Sequence, residues 1–271
     1  MKLVRDVPAR VGIAVITPDN DTLTVNNSAD YPLMSVFKLH EALAVAHVLD
    51  LKGMSLDTEL HLDRRDLNPD TWSPMLKEHR EPVLRLTVGQ LLEYALQQSD
   101  NNASNVLFDS IVSVRETDRF IREATGISDF KLTHTEAEMH RDHALAGQNC
   151  GSPLSCARLI RQVFTDSLVS SVKQEALRRM LCEVSTGADR IYVSVADKPE
   201  VRQAHKTGSG FRTPDGLLGA HNDVGYIMMP DGTAYALAVL VKDFPGTEAQ
   251  ASALIACIAN IVYNHLYAHN Q

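Results

Sequence analysis

The order of its apolar patterns constrains most strongly what this chain folds into. Strand patterns occupy both ends of the chain, at residues 11–16, 22–25, 201–204, 224–229 and 235–241. Helical patterns fill the middle, and a further one closes the chain at 248–267. This order predicts an α+β fold, an α/β sandwich in which an antiparallel sheet is flanked by terminal helices and an all-helical subdomain is inserted.

We expect two intertwined units within this fold. The sheet and its flanking helices are assigned to residues 1–38 and 187–271, and the helical unit to residues 39–186. A length of 271 residues suits one large domain or two intertwined ones, with ample chain for a core.

Composition and charge exclude several classes of function. The formal net charge is −8 and no lysine or arginine cluster opposes it, which argues against a nucleic-acid partner. The longest apolar run is far shorter than the ~20 residues that span a bilayer, so we expect no membrane span. The four cysteines, Cys150, Cys156, Cys182 and Cys257, have no CxxC spacing and are interpreted as small buried apolar residues rather than a disulfide framework.

A serine and a lysine lie three residues apart where the first long helical pattern begins. At this spacing Ser35 and Lys38 share one helix face, with Cβ atoms roughly 5–6 Å apart. A serine beside a basic group is a candidate nucleophile. The same spacing recurs at Ser170 and Lys173, so the spacing alone does not identify a site.

Two further motifs fit the first of these pairs. Ser99, Asp100 and Asn101 are predicted to close a helix that begins with the Thr87-x-x-Gln90 capping box. Lys206, Thr207, Gly208 and Ser209 end a strand, where a lysine, hydroxyls and a bare backbone can line a groove for an extended ligand. Three such motifs in this order are improbable by chance.

The rest of the middle block is assigned from composition and periodicity. Residues 54–85 are polar and predict a loop, while helical patterns cover 105–114 and 117–124. Residues 127–151 form a long irregular segment. Long loops in compact domains are usually functional or disordered.

Together the motifs resemble a known family. Ser-x-x-Lys, Ser-Asp-Asn and Lys-Thr-Gly are the signature of class A β-lactamases and penicillin-binding proteins. Residues 135–139 look like the Ω-loop of the class A enzymes, with Glu136 at the position of the water-activating glutamate. The sequence at residues 71–74, 99–104, 205–210 and 221–223 is similar to that of the cephalosporinase-type, extended-spectrum subgroup. The resemblance implies a serine β-lactamase/transpeptidase-like fold and no cofactor.

The resemblance also implies catalytic roles. Ser35 would attack the β-lactam carbonyl, and Lys38 and Glu136 are the alternative acylation bases. Ser99 would relay a proton to the leaving nitrogen. Glu136 would then activate the water that hydrolyses the acyl-enzyme, although Glu138 competes for that role from two residues on.

Substrate-binding roles follow in the same way. The implied binding residues are Asn101 for the side-chain amide, Lys206, Thr207 and Ser209 for the carboxylate, Gly208 in the groove, Arg190 in support, and Trp72 at the mouth. The N–H groups of Ser35 and Ser209 would form the oxyanion hole. Arg190 has the alternative of a surface ion pair, and Trp72 that of a core residue.

The sequence departs from the usual class A pattern in the Ω-loop. His140 stands where many class A enzymes have an asparagine that helps hold the hydrolytic water. The Arg–Asp ion pair that usually fastens the loop is not recognisable, and His134 occupies the arginine position. The histidines show no His-Glu-x-x-His spacing and no second ligand cluster, so we expect no metal site.

The leading hypothesis is thus a monomeric hydrolase of small-molecule β-lactams. A D,D-peptidase shares the three motifs without needing Glu136, and a β-lactam sensor would stay acylated. No apolar signal segment is visible in residues 1–10, which leaves a cytoplasmic chain or a mature or truncated form. The resemblance favours the periplasm.

Overall fold

The centre of the protein, in a computed structural model that describes residues 7–268, is a five-stranded antiparallel sheet. The strands are β1 (Arg10–Ile16), β2 (Thr22–Val25), β3 (Tyr31–Pro32), β4 (Glu59–Asp63), β5 (Val83–Thr87), β6 (Phe130–Lys131), β7 (Cys150–Gly151), β8 (Arg202–Ser209), β9 (His221–Met228) and β10 (Ala234–Lys242). The helices are α1 (Lys38–Leu51), α2 (Pro74–Glu78), α3 (Val88–Gln97), α4 (Asn101–Ser110), α5 (Val114–Thr125), α6 (Glu136–Arg141), α7 (Pro153–Thr165), α8 (Ser171–Cys182) and α9 (Glu248–Tyr263). The order in the sheet is β2-β1-β10-β9-β8.

The sheet separates two hydrophobic cores because side chains alternate between its faces. In β10, Leu237 and Val239 pack in the core that includes α9, whereas Ala238 and Leu240 pack in the core of the helical side. Burial on both faces explains why β10 is apolar almost throughout. The predicted α+β fold is confirmed, but the inserted unit is not all-helical, because residues 39–186 also contain β4, β5, β6 and β7.

The prediction of a loop at residues 54–85 is wrong. β4 and β5 pair antiparallel, with Leu60 opposite Leu86 and Leu62 opposite Leu84, and α2 lies between them in the chain. Leu84 and Leu86 are fully buried. Each strand has only two or three apolar residues, alternating with polar ones, so the composition of the segment as a whole concealed the strands.

Helix boundaries also differ from the prediction at the Ser-Asp-Asn motif. Asp100 is the N-cap of α4 and its side chain accepts a hydrogen bond from Ala103 N at 2.9 Å. The motif therefore opens α4 rather than closing α3, and the predicted helix at 105–114 starts too late. α5 begins after the Ser113 capping box and, as predicted, stops at Gly126, whose φ is 70°.

Several smaller expectations concern the remaining elements. The last α-helix ends at Tyr263 and continues as a π-turn over Asn264–Ala268. All four cysteines are free; Cys156 is buried as predicted, but Cys257 is exposed. Among residues 7–268, no helix is long and apolar enough to cross a membrane, and no group of three or more metal-binding side chains occurs. The signal-segment interpretation lies partly outside the described residues, in 1–6.

Candidate active site

The candidate nucleophile lies in a tight turn rather than in the long helix. Met34–Phe37 form a 3-10 turn, and Lys38 begins α1 immediately after it, so Ser35 precedes α1 rather than sharing a face of that helix with Lys38. Met34 has a φ of 48°. A bulky side chain in this left-handed region is strained, and such strain is typical of functional turns.

Lys38 connects the parts of the site that come from different elements. Its buried Nζ donates to Ser35 Oγ at 3.1 Å, to Ser99 O at 2.9 Å and to Asn101 Oδ1 at 2.7 Å. The same atom is 3.0 Å from Glu136 Oε1. One ammonium therefore contacts the turn, the start of α4 and the start of α6.

Of the two neighbouring acids, the structure brings Glu136 and not Glu138 to the serine. Ser35 Oγ donates to Glu136 Oε1 at 3.2 Å. Glu138 instead completes a capping box, in which its carboxylate accepts from Thr135 N at 2.8 Å. The capping box directs Glu138 back along α6 and leaves Glu136 facing the cleft.

A buried asparagine fastens the ends of the loop that carries Glu136. Asn149 Oδ1 accepts from Thr133 N at 2.8 Å and from His134 N at 3.0 Å, and its Nδ2 donates to His134 O at 2.8 Å. Asn149 is fully buried. A neutral amide thus holds the neck of the loop, where the sequence lacks the usual ion pair.

The opposite wall of the cleft is the edge strand β8. Lys206 is fully buried, and its Nζ donates to Ser99 Oγ at 3.0 Å. Burial lowers the pKa of Lys206 well below its usual range, with the nearby Lys38 as the second cause. A Cβ on Gly208 would lie 2.5 Å from Leu33 O, so only glycine allows β8 to approach the chain before the nucleophile this closely.

Arg190 lies behind β8 and is not a surface residue. It is 7% exposed; its Nη2 donates to Ser209 Oγ at 2.7 Å and its Nη1 to Asn222 O at 2.6 Å. Burial lowers the pKa of Arg190, while the nearby Asp223 opposes that shift. The alternative of a surface ion pair is therefore wrong, and the guanidinium adds positive charge beside Ser209.

Comparisons with known proteins agree with this geometry. The Beta-lactamase2 family model, described as a β-lactamase enzyme family, matches residues 1–266. The chain belongs to this β-lactamase family. A β-lactamase of Phocaeicola vulgatus is 48% identical over 265 residues, which are 98% of this chain and 83% of that relative. The extended-spectrum β-lactamase PER-1 of Pseudomonas aeruginosa is 32% identical over 257 residues, covering 94% of this chain and 82% of the relative.

Solved structures place this β-lactamase in class A. A class A β-lactamase from Bacteroides cellulosilyticus superimposes with a TM-score of 0.92 at 32% identity, covering 98% of this chain and 95% of the other. The TLA-3 extended-spectrum β-lactamase gives a TM-score of 0.93 at 31% identity, with 98% and 96% covered. The predictions of a serine β-lactamase and of β-lactam hydrolysis are confirmed.

Three asparagines of this β-lactamase were missed as site residues by sequence reasoning. Asn149 is described above. The side-chain oxygen of Asn105 accepts from Ala137 N at 2.9 Å, directly beside Glu136. The fully buried Asn222 donates to Pro32 O at 2.8 Å and Leu33 O at 3.2 Å. Each holds backbone far away in the sequence, and no local signal reveals such a contact.

Two of the predicted binding residues of the β-lactamase lie at the periphery of the site. Trp72 is 54% exposed, so the core alternative is wrong, and its backbone O accepts from Asn101 N at 3.0 Å. His140 is half-buried in α6, with its ring centroid 6.4 Å from that of His143. The His140 side chain makes no hydrogen bond to the described residues, and its role stays a prediction.

Proposed function

We propose that this β-lactamase opens the lactam ring by forming an acyl-enzyme on Ser35 and releases the product with water activated by Glu136. The single observation that carries this assignment is the short distance of 3.2 Å between Ser35 Oγ and Glu136 Oε1. A carboxylate in this position can serve both half-reactions.

In acylation, Ser35 Oγ forms a bond to the lactam carbonyl carbon and gives up its proton. The proton passes to the Lys38–Glu136 pair, whose atoms are 3.0 Å apart. The C–N bond then breaks, and the nitrogen takes a proton from the Ser99 hydroxyl. Ser99 regains a proton from the Lys38–Glu136 pair, so Glu136 is again a carboxylate before deacylation. Because Ser99 Oγ accepts a hydrogen bond from Lys206 Nζ at 3.0 Å, its own proton is free to point to the leaving nitrogen.

The developing negative charge is stabilised by backbone donors. We assign the oxyanion hole to the N–H groups of Ser35 and Ser209, where losing one such donor typically costs ~10²–10³ in rate. The substrate-binding groups are Lys206, Thr207 and Ser209 for the carboxylate, with Arg190 behind them, Asn101 for the side-chain amide, and Gly208, Trp72 and His140 along the walls. The buried cations Lys206 and Arg190 favour an anionic ligand.

In deacylation, Glu136 takes a proton from water, and the water oxygen forms a bond to the ester carbonyl carbon. The bond to Ser35 Oγ breaks as that oxygen regains a proton. At 3.2 Å apart, the two side-chain oxygens are close enough for one water to contact both. A sensor or a D,D-peptidase has no use for this carboxylate, so neither alternative is favoured.

The experiment mixes the protein with excess chromogenic cephalosporin and follows the acyl-enzyme by mass spectrometry. Wild type should turn over repeatedly, Ser35→Ala should form no adduct, and Glu136→Gln should acylate and stay acylated. Glu138→Gln is the matched control, because it changes a neighbouring carboxyl that caps α6. Undiminished turnover by Glu136→Gln would contradict the proposal.

The finer assignments rest on the relatives. We infer that the substrates include cephalosporins and penicillins, that hydrolysis confers resistance, and that the enzyme works as a periplasmic monomer. Relatives named extended-spectrum β-lactamases support the first part. We also propose that residues 1–38 and 187–271 form one unit, built on the sheet, and that residues 39–186 form the other. Growth inhibition by both drug classes and the mass in solution test these points.

A further inference from the structure

Two side-chain hydrogen bonds, one helical turn apart, connect α1 and α4. The first is the bond of 2.7 Å from Lys38 Nζ to Asn101 Oδ1. The second, one helical turn further, is the bond of 2.8 Å from Ser104 Oγ to Glu41 Oε2. Residues 38 and 41, and likewise 101 and 104, are three apart and so lie on one face of their helix. The Ser104–Glu41 bond thus holds α1 and α4 in the register in which the Lys38–Asn101 bond forms.

Glu41, the acid in the second of these hydrogen bonds, lies in an unusual environment for a carboxyl group. Glu41 is fully buried, and its Oε1 has no hydrogen-bond partner among the described residues. A buried carboxylate with an unbonded oxygen is costly, so the neutral acid is favoured. Burial accordingly raises the pKa of Glu41 well above its usual range, while the hydrogen bond from Ser104 acts in the opposite direction.

Groups on three helices act on Glu41. Lys38 on its own helix and Ser104 on α4 favour the ionised acid, and Glu136 on α6 disfavours it. Asp118 of α5 faces the neighbouring His40 instead. Glu41 is therefore electrically coupled to the two groups that exchange protons in the cleft, although it does not line the cleft.

We propose that Glu41 is a positioning residue of this β-lactamase, which as a neutral acid bonded to Ser104 holds Lys38 in register, and whose loss of a proton sets the upper pH limit of turnover. The inference rests on the proposed roles of Ser35, Lys38 and Glu136. When neutral, Glu41 leaves Glu136 as the carboxylate paired with Lys38. When ionised, it repels Glu136 and competes for the same ammonium.

The test compares pH profiles of kcat/KM for hydrolysis of a chromogenic cephalosporin. Glu41→Gln can still accept from Ser104 but cannot ionise, so the ratio of activity above the wild-type alkaline midpoint to activity at neutral pH should rise about tenfold. The control is Glu123→Gln, an exposed carboxyl on α5 that should keep the wild-type ratio. A purely structural role would not move this ratio.

A second variant tests the hydrogen bond between Ser104 and Glu41 itself. Ser104→Ala removes the bond that favours the ionised acid, so the alkaline midpoint should move up, while kcat at neutral pH falls and KM changes little. Identical profiles for wild type and Glu41→Gln, or an unchanged kcat in Ser104→Ala, would overturn the inference. If wild type itself fails to turn over the cephalosporin, the proposed function has failed instead.

Discussion

Replacement of Asn149 by alanine should slow deacylation much more than acylation. The substitution removes three hydrogen bonds to the backbone of residues 133 and 134, at 2.8, 3.0 and 2.8 Å. At a net value of about 1 kcal/mol for each bond, the loop neck loses about 3 kcal/mol. A free energy of 1.4 kcal/mol corresponds to a tenfold change in an equilibrium constant. The population of the conformation in which the loop neck is fastened should therefore fall by ~10²-fold relative to the conformation in which it is open.

Deacylation depends on this state because Glu136 lies on the fastened segment, whereas Lys38, the alternative base for acylation, lies outside it on α1. We therefore expect the deacylation rate to fall by about 10- to 100-fold in Asn149→Ala, with acyl-enzyme accumulating on Ser35. The assay is rapid-quench mass spectrometry during turnover of a chromogenic cephalosporin, combined with hydrogen exchange of residues 133–149. The amides of Thr133 and His134 should lose their protection.

Asn149→Asp is the graded control. The carboxylate can still accept from Thr133 N and His134 N, and of the three hydrogen bonds to the backbone only the one that Nδ2 donates to His134 O is lost. Its effect should be smaller than that of alanine. If Asn149→Ala deacylates within about twofold of wild type while its loop amides exchange freely, the link between the neck and Glu136 is refuted.

Three further predictions follow from the packing and charge of the site. Gly208→Ala places a Cβ 2.5 Å from Leu33 O, so the free energy of unfolding should fall by about 1–3 kcal/mol and kcat/KM with it, as chemical denaturation and steady-state kinetics measure. The pKa of Glu41 is higher in the folded than in the unfolded chain, so wild-type stability should fall as pH rises above about 4.5, and the stabilising effect of Glu41→Gln in thermal denaturation should grow over that range. A pH-independent difference would contradict this. Arg190→Ala removes the cation beside Ser209. For carboxylate-bearing substrates, the factor by which KM rises should be about ten times the factor by which kcat falls, and an unchanged KM would exclude the supporting role.

Much of the fold follows from local patterns in the sequence. Short apolar patterns predicted the strands of the main sheet, and the capping box at Thr87 marked a helix start that the structure retains. These signals work because short apolar runs and helix caps depend on residues only a few positions apart. The prediction of a loop at residues 54–85 failed for the same reason, because β4 and β5 are recognisable as strands only from their pairing with each other.

The sequence by itself determined which chemical groups are present: a serine and lysine one turn apart, a second serine, two candidate acids and a lysine-bearing strand. Only the tertiary structure decided how they act, because that depends on contacts between residues far apart in the chain. It turned Glu136 rather than Glu138 to Ser35, across 101 positions, and it buried Arg190 behind Ser209. Side-chain amides such as Asn222 bond to backbone almost two hundred residues away, and backbone groups have no residue-specific signature in the sequence.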